Sequence, residues 1–313
     1  MLSYIVRRLS FGIVTVLLLT VSVYLITWVS PGDPTDFLVN PQSVSSIESA
    51  EKVKEKYGLN EPVYKQYWAW LNQVIRGNLG YSIQTKASVA GMLARRIPRS
   101  LLLVGVGLLI ALSVGVPLGI LSALHQYTWV DQILSLFSYL FVSIPVFFSA
   151  LLFMYIFSLR LGLLPSFGAG EGILGSLYHV LLPALVIGLF SSARYLRYAR
   201  SSMLEVLNKD YVRTARSKGI REEIVIYKHA LRNAITPVLT VLGWNIPILL
   251  SGTVLVEYVY NYPGIGRLIM RSALKQDYPV LMGSTLVIVI ATFFSTLFVD
   301  IAYGFIDPKV TYD

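Results

Sequence analysis

The chain alternates between long apolar runs and shorter polar segments. Six stretches contain no Asp, Glu, Lys or Arg: Leu9–Val29, Leu101–Leu124, Ile133–Leu159, Leu177–Ala193, Ala234–Val256 and Tyr278–Val299. A helix needs about 20 apolar residues to cross the hydrocarbon core of a bilayer, and five of the six reach that length. The fourth can extend if Arg194 and Arg197 snorkel to the interface. None alternates apolar and polar residues as a membrane β-strand does, so the pattern predicts an all-α polytopic membrane protein with six transmembrane helices.

Composition supports this class of protein. The chain is 55% hydrophobic and 14% charged, whereas soluble domains carry about 25% charged residues. The first run is longer than the apolar core of a signal peptide, and no small-residue cleavage site follows it. We therefore expect residues 1–29 to form a cytoplasmic N-terminus and a retained first span, followed by segment 30–99, a membrane domain over 100–306 and a tail over 307–313.

Charge predicts the orientation of the spans. The net charge of +9 could indicate nucleic acid binding, but basic residues beside spans are the ordinary positive-inside signature, and no nucleic-acid motif accompanies them. Arg7 and Arg8 precede the first span, which predicts that both termini and the basic segment Arg194–Arg232 are cytoplasmic. Segment 30–99 is then external, and it is long enough to be translocated despite its charge.

The external segment has the pattern of a small helical insertion. Glu48–Lys56 is rich in helix formers, and Asn60 is a candidate cap for a second helix with Pro62 in its first turn. An apolar stripe is expected on the second helix: Tyr64, Tyr67, Trp68, Leu71, Val74 and Ile75. The insertion can be a cap packed on the membrane domain or a docking surface for an external partner, and these two interpretations are compatible.

Polar residues within the spans suggest a route for solute. Prolines occur in the second to fifth runs at Pro117, Pro145, Pro183, Pro237 and Pro247, where they favour kinks; proline is also simply common in membrane helices. The candidate path residues are Ser143, Thr240, Asn245, Pro247 and Ser251. Asn245 lies mid-span, where an amide facing lipid is costly, so it is expected to face either a helix partner or the path.

Motifs for catalysis and for an internal energy source are absent from the sequence. There is no HExxH, no GxSxG and no nucleotide-binding GxxxxGK[ST], and the run that begins at Gly264 is interpreted as a turn. The chain has no cysteine, and neither a metal site nor a cofactor bound by this chain is expected. The spans carry no mid-membrane acidic residue of the kind that a proton-driven carrier needs, so the driving energy is expected to enter elsewhere.

The basic segment Arg194–Arg232 contains ten Lys/Arg and four Asp/Glu. It can present itself either to lipid or to a protein partner. Leu196–Leu207 is predicted to continue the fourth span, and Tyr211–Ser217 to form a short helix with Asp210 as N-cap and Gly219 after its end. A second helix, Arg221–Asn233, would lead into the fifth span. A short helix between two turns at a membrane surface can act as a lever.

At this segment the sequence resembles a known family. The run from Asp210 to Gly219 and the later run from His229 to Ala234 are similar to the cytoplasmic loop of ABC importer permeases of the oligopeptide/dipeptide/nickel branch. Arg213, Thr214 and Ala215 stand where the general motif has Glu-Ala-Ala, and the glycine of the motif is Gly219. Five further segments agree with the branch: Pro31–Pro34, Tyr57–Pro62, Gly77–Gly80, Tyr262–Gly266 and Ile306–Lys309.

The resemblance implies a type I ABC importer permease in a bacterial or archaeal inner membrane. It implies a homologous second permease, two cytoplasmic ATPases that use the ATP, an external solute-binding protein, and surrounding lipid. The coupling loop would span 194–236, and the residues implied to couple to an ATPase are Tyr211, Arg213, Thr214, Ala215, Arg216, Lys218, Gly219 and Ile220. Peptides are the first expectation for the cargo; nickel chelates, oligosaccharides and glutathione-like solutes remain alternatives.

Two other classes of protein are weighed against this one. A channel would show charge rings or a filter loop, and an intramembrane hydrolase would need a nucleophile and a base within the spans. Neither pattern is present in the sequence, although several serines surround His179.

Overall fold

The computed structural model describes residues 2–29, 54 and 60–306, without the side chains of residues 2–6, 240, 244–252, 300 and 302–306. The regular secondary structure of the described residues is helical, apart from one isolated bridge between Tyr81 and Ser88. The expected helix over Glu48–Lys56 and the segments around Pro31 and Gly58 lie outside the described residues.

The α-helices follow the order of the apolar runs. Their bounds are α1 Leu2–Val29, α2 Val63–Ile75, α3 Val89–Leu124, α4 Trp129–Ser143, α5 Val146–Phe153, α6 Gly172–Leu207, α7 Asp210–Ser217, α8 Glu222–Ile224, α9 Leu231–Val259, α10 Ile265–Leu274 and α11 Tyr278–Ile306. Two π-helical segments, Met154–Arg160 and Val225–Ala230, follow α5 and α8. The predicted all-helical fold is confirmed.

Length and hydropathy mark four described helices as able to cross a membrane: α1, α3, α6 and α11. A fifth candidate span is the pair Trp129–Ser143 and Val146–Arg160, whose halves are bent by 104°. The remaining expected span, the fifth apolar run Ala234–Val256, lies within the continuous helix α9. That helix is 29 residues long, or about 44 Å at 1.5 Å per residue.

Proline breaks only one of these described spans. Ile144 and Pro145 are extended between α4 and α5, because Pro145 disfavours helical backbone at the residue before it; Pro145 is the cap residue that precedes α5. Pro183 lies inside continuous α6, and the backbone of α9 is helical through Pro237 and Pro247. The helix is therefore broken at Pro145 and continuous at the other prolines, Pro117 included, where the expected kinks stay a prediction.

Two local predictions are wrong. The run that begins at Gly264 is not a simple turn, because it opens helix α10 with Gly264 as the preceding cap residue. Neither Asn60 nor Asp210 is an N-cap: the caps of α2 and α7 are Pro62 and Lys209, and no cap side chain hydrogen bonds to the helix.

The described residues form two compact units. One comprises residues 2–100 and Pro263–Leu297, and the other Leu101–Tyr262 and Phe298–Ile306. In the first unit, Val89 and Leu93 of α3 pack with Ile265 and Leu268 of α10. Buried Asp277 accepts hydrogen bonds from Ser82 Oγ and from the backbone N–H of Ile83, so the end of the insertion is fixed to the loop before α11.

Small residues allow close helix packing in the second unit. A Cβ atom added at Gly115 or Gly119 of α3 would collide with the backbone of α6, and one added at Gly188 of α6 would collide with Ile110 of α3. Small residues recur every fourth position of α3 at Gly107, Ala111, Gly115, Gly119 and Ala123. Such spacing lets backbones approach in membrane helices, where burial of apolar side chains contributes little because lipid is equally apolar.

Candidate coupling surface

Helix α7 is a short amphipathic helix seated on the ends of longer helices. Its inward side chains, Val212 and Ala215, are 0% and 6% exposed. They belong to one apolar cluster with buried residues of α3, α6, the second π-segment and α9: Ala123, Met203, Val206, Val225, Ala230 and Ala234. We call this contact the α7 seat. A displacement of α7 would therefore act directly on residues of three long helices.

The outward face of α7 is polar and basic. Tyr211, Arg213, Thr214, Arg216 and Lys218 are all exposed, as the sequence predicted for residues that meet a partner. Ala215 is the exception, because its side chain is buried in the α7 seat and is not available to a partner. Ile220 is half-buried. Val212, which the sequence analysis passed over, is the more deeply buried of the two seat residues of α7.

The turn after α7 is fixed by Gly219, as predicted. Gly219 has φ +71°, and no heavy atom lies within 4 Å of the position that a Cβ atom would take, so a larger residue there would strain the backbone without a steric clash. Its N–H donates to the carbonyl of Arg216 at 2.9 Å.

An ion pair spans the same turn, where Arg216 Nη2 lies 2.7 Å from Glu222 Oε1. This hydrogen bond lowers the pKa of the Glu222 carboxyl below its usual value.

Hydrogen bonds tie α7 and α6 to the start of α9. Asn233 Nδ2 donates to Tyr211 Oη at 2.9 Å, and Ser202 Oγ of α6 donates to the buried carbonyl of Ala234 at 2.8 Å. The chain enters α9 through the π-segment Val225–Ala230. The predicted second helix over Arg221–Asn233 is thus present as three pieces: α8, the π-segment and the first residues of α9.

A buried ion pair joins α4 to α6, the helix that precedes α7. Asp131 of α4 is 5% exposed. It accepts two hydrogen bonds from Arg200 of α6, from Nε and Nη2, each at 2.7 Å. Asp131 also accepts from Ser122 Oγ and from the backbone N–H of Tyr127. Bidentate, charge-assisted geometry of this kind is strong and directional, so α3, α4 and α6 are locked together here.

Neither this ion pair nor the burial of Glu257 was predicted from the sequence. Asp131 and Arg200 are 69 residues apart, and from the sequence Arg200 is only one of the many basic residues of its segment. The available signal was that Asp131 is the one acid in a short loop without Lys or Arg. Glu257, which follows the end of the fifth apolar run, lies within α9 and is 0% exposed.

The candidate path residues are described only in part. Thr240, Asn245, Pro247 and Ser251 lie on helical backbone in α9, and their side chains lie outside the described residues. Ser143 is exposed and donates to the carbonyl of Tyr139 at 2.8 Å, at the end of α4 before the bend at Pro145. Within the part of the chain that is described, no three His, Asp or Glu side chains converge as a metal site would require.

Comparison with known proteins identifies the family. A family model described as binding-protein-dependent transport system inner membrane component matches residues 115–312, and the model of its N-terminal region matches residues 1–104. A putative peptide permease protein of Brucella suis is 42% identical over 316 residues, 99% of each chain. The oligopeptide transport system permease protein AppB of Bacillus subtilis is 38% identical over 318 residues, all of both chains. The glutathione transport system permease protein GsiC of Escherichia coli K12 is 35% identical over 312 residues, again all of both chains.

Solved structures support the fold. An inward-facing MetNI methionine ABC transporter aligns with a TM-score of 0.57 at 14% identity, covering 69% of this chain and 96% of that one. An amino acid ABC transporter aligns with a TM-score of 0.52 at 16% identity, covering 71% and 95%. These matches agree with the predicted type I permease fold. The chain belongs to the family of ABC importer permeases, the inner-membrane components of binding-protein-dependent transport systems.

Proposed function

We propose that this permease imports peptides and that α7 is the helix through which ATP hydrolysis drives it. The family is a membrane transport component and not an enzyme. The observation that carries the proposal is the two-sided construction of α7. Val212 and Ala215 fix it to three long helices, while its basic and aromatic side chains remain exposed for a partner.

We infer the partners from the family and from the exposed face of α7. Each of two ATPase subunits would receive one short helix in a surface groove, one from this chain and one from a homologous second permease. A solute-binding protein would deliver cargo on the opposite side of the membrane. ATP would be bound and used by the ATPases alone, with no cofactor held by this chain.

The ATPase side of the membrane sets the proposed orientation. Both termini and the basic segment Arg194–Arg232 would face the cytoplasm, and segment 30–99, which includes α2, would face outward. Because the chain has no cysteine, single-cysteine variants can be read without background. Gln73→Cys on α2 should react with an impermeant thiol reagent on intact cells, and Ser217→Cys on α7 should react only after the membrane is opened. The reverse pattern would overturn the orientation.

Peptides are the proposed cargo because two relatives that match over their full length are named as peptide permeases. A third is named for glutathione, which is itself a small peptide, so the three names share one chemistry.

The proposed translocation path would be neutral and would include Ser143, Thr240, Asn245 and Ser251 near Pro247. Asn245→Leu should then slow import of all cargoes alike. A changed cargo preference, with the binding protein kept constant, would contradict a tolerant path.

Cross-linking tests the proposed role of α7. In the purified transporter, Thr214→Cys on the exposed face should join to an ATPase through a short cysteine-to-lysine reagent. Gln126→Cys is the matched control, because it is also exposed and lies in a different loop on the same proposed side. Equal cross-linking of the two variants, or cross-linking of Gln126→Cys alone, would reject α7 as the docking helix.

A further inference from the structure

Helix α1 has the exposure pattern of a helix that faces lipid. Its buried positions carry small or hydroxylated residues, Gly12, Thr20 and Thr27. Its exposed positions carry large apolar residues, including Val14, Leu18 and Leu25 at 53%, 63% and 44% exposure. Small residues at helix contacts and large apolar ones facing outward are typical of spans whose solvent is the hydrocarbon of the bilayer.

Helix α2 packs against the second half of this span. Tyr67 Oη lies 3.0 Å from Thr20 Oγ1, and Tyr24 Oη donates to Gln66 Oε1 at 3.0 Å. The rings of Tyr24 and Tyr67 meet edge to face with centroids 5.6 Å apart. Thr20 precedes the end of α1 at Val29 by nine residues, which is about 14 Å of helix. The half-thickness of the hydrocarbon core is about 15 Å, so α2 contacts the span at a depth that lies within one leaflet.

One exposed side of α2 is apolar, whereas Lys65 and Asn72 form a polar exposed side next to it. Tyr64, Trp68 and Ile75 are 68%, 69% and 76% exposed. At 100° per residue they lie within about 40° of one another around the helix. Gln73, on the opposite side of the helix from Tyr64, is exposed and polar. The predicted stripe is therefore divided: Tyr67, Leu71 and Val74 are partly buried, whereas the Tyr64–Trp68–Ile75 face is left uncovered by the part of the chain that the structure describes.

A groove of about 360 Å³ runs between α1 and α2. Its lining is entirely apolar or aromatic, and it includes Val21, Tyr24, Leu25, Val63, Tyr64 and Trp68. Of the three tyrosine hydroxyls of this region, those of Tyr24 and Tyr67 are engaged in the hydrogen bonds between the helices. The groove shares Leu25 with the exposed face of α1, so it opens onto the surface that the bilayer covers.

We propose that this groove holds a phospholipid acyl chain and that α2 is an interfacial helix that dips into the leaflet, with its Tyr64–Trp68–Ile75 side against the acyl chains. Continuity of the groove with the lipid-facing side of α1 selects lipid over a water-soluble partner. The proposal concerns the leaflet that surrounds the second half of α1, and it holds in either orientation of the chain.

Spin labels on single cysteines test the proposal in the assembled transporter. The transporter would be reconstituted in bilayers of phosphatidylethanolamine and phosphatidylglycerol, with labels at Trp68→Cys, Gln73→Cys and Leu18→Cys. The accessibility ratio of oxygen to a water-soluble nickel chelate should be several-fold higher at position 68 than at position 73, and closer to the value at position 18. Equal ratios at 68 and 73 would place the face in water, and protection of position 68 from both reagents would show that protein covers it. Either result would overturn the proposal.

Native tryptophan fluorescence gives a second measurement that keeps the groove intact. Bilayers whose lipids carry brominated acyl chains should quench Trp68, so the quenched signal should fall in Trp68→Phe relative to the native protein. Trp129→Phe is the matched control, because Trp129 is 79% exposed and lies on a different helix. An unchanged quenched signal in Trp68→Phe would contradict the assignment of lipid to this face.

Discussion

Helices α2 and α7 are both short helices packed on longer ones, and they differ in the side chains that they leave exposed. Helix α7 buries Val212 and Ala215 and exposes a basic and hydroxylated face. Helix α2 buries Gln66 among its contacts with α1 and exposes Tyr64, Trp68 and Ile75. The face that each helix leaves uncovered matches what it is proposed to meet: an ATPase in water for α7, and the bilayer for α2.

The two helices also differ in what holds them in place. Helix α2 is attached to α1 by hydrogen bonds between neutral side chains. The seat of α7 lies among helices that the Asp131–Arg200 ion pair locks together. Force from a partner can pass through α7 only if its seat resists deformation, whereas an interfacial helix needs no such rigidity.

The largest effect should come from breaking the ion pair near the α7 seat. Asp131→Ala leaves the Arg200 guanidinium, whose side chain is 27% exposed, without its carboxylate, and the loss of hydrogen bonds between charged groups should cost about 3 kcal/mol. Thermal unfolding of the purified transporter should show this loss. Ser138→Ala on the same helix is the control, because Ser138 is buried but bonds only to a carbonyl of its own helix. A loss in Asp131→Ala no larger than in Ser138→Ala would show that the pair does not lock these helices.

A smaller effect is expected from overfilling the seat itself. Ala215→Leu adds volume to a closed apolar cluster and should destabilise by about 1–3 kcal/mol. Thr214→Leu, next in sequence but exposed, should change stability by less than about 0.5 kcal/mol. The two variants would be compared by unfolding midpoints of the same complex. Equal losses would mean that α7 is not seated as described.

The smallest effect concerns pH and distinguishes α7 from α2. Because Arg216 lowers the pKa of Glu222, their pair contributes stability above the carboxyl's ordinary pKa and loses it as the pH falls through the lowered value. Both side chains are about half exposed, at 42% and 54%, so the contribution is under about 1 kcal/mol. A spin label at Ser217→Cys should become more mobile in acid, and this gain should vanish in Glu222→Gln. A label at Gln73→Cys on α2 should not respond, because the hydrogen bonds of α2 to α1 join neutral groups; equal responses at both positions would contradict this difference.

The sequence predicted local features well where a local rule decides them. The helix before Gly219 and the positive φ of that glycine follow from a terminating glycine. The spanning helices follow from charge-free runs, and the predicted continuation of the fourth span through Leu207 is present in α6. The resemblance to ABC importer permeases rested on such local motifs, and the family matches confirm it.

The remaining features depend on tertiary contacts that no local pattern encodes. The pairing of Asp131 with Arg200 joins residues that are distant along the chain. On α2, Tyr67 and Trp68 are adjacent and both aromatic, so periodicity could not tell which would pack on α1. The 104° bend of the third predicted span required Pro145 to break its helix while Pro183 and Pro247 lie in continuous ones.

The central claim is that α7 transmits ATP hydrolysis to transport, and Gly219→Val tests it most directly. Valine at φ +71° strains the backbone by about 1 kcal/mol or more and should misplace α7 without a clash. Gly172→Val is the matched control, since Gly172 has φ +67° and equally open surroundings but lies at the start of α6. In reconstituted transporter, the account predicts fewer peptides imported per ATP hydrolysed, or weaker ATPase binding, in Gly219→Val and native behaviour in Gly172→Val. Native coupling and native ATPase binding in Gly219→Val would contradict it.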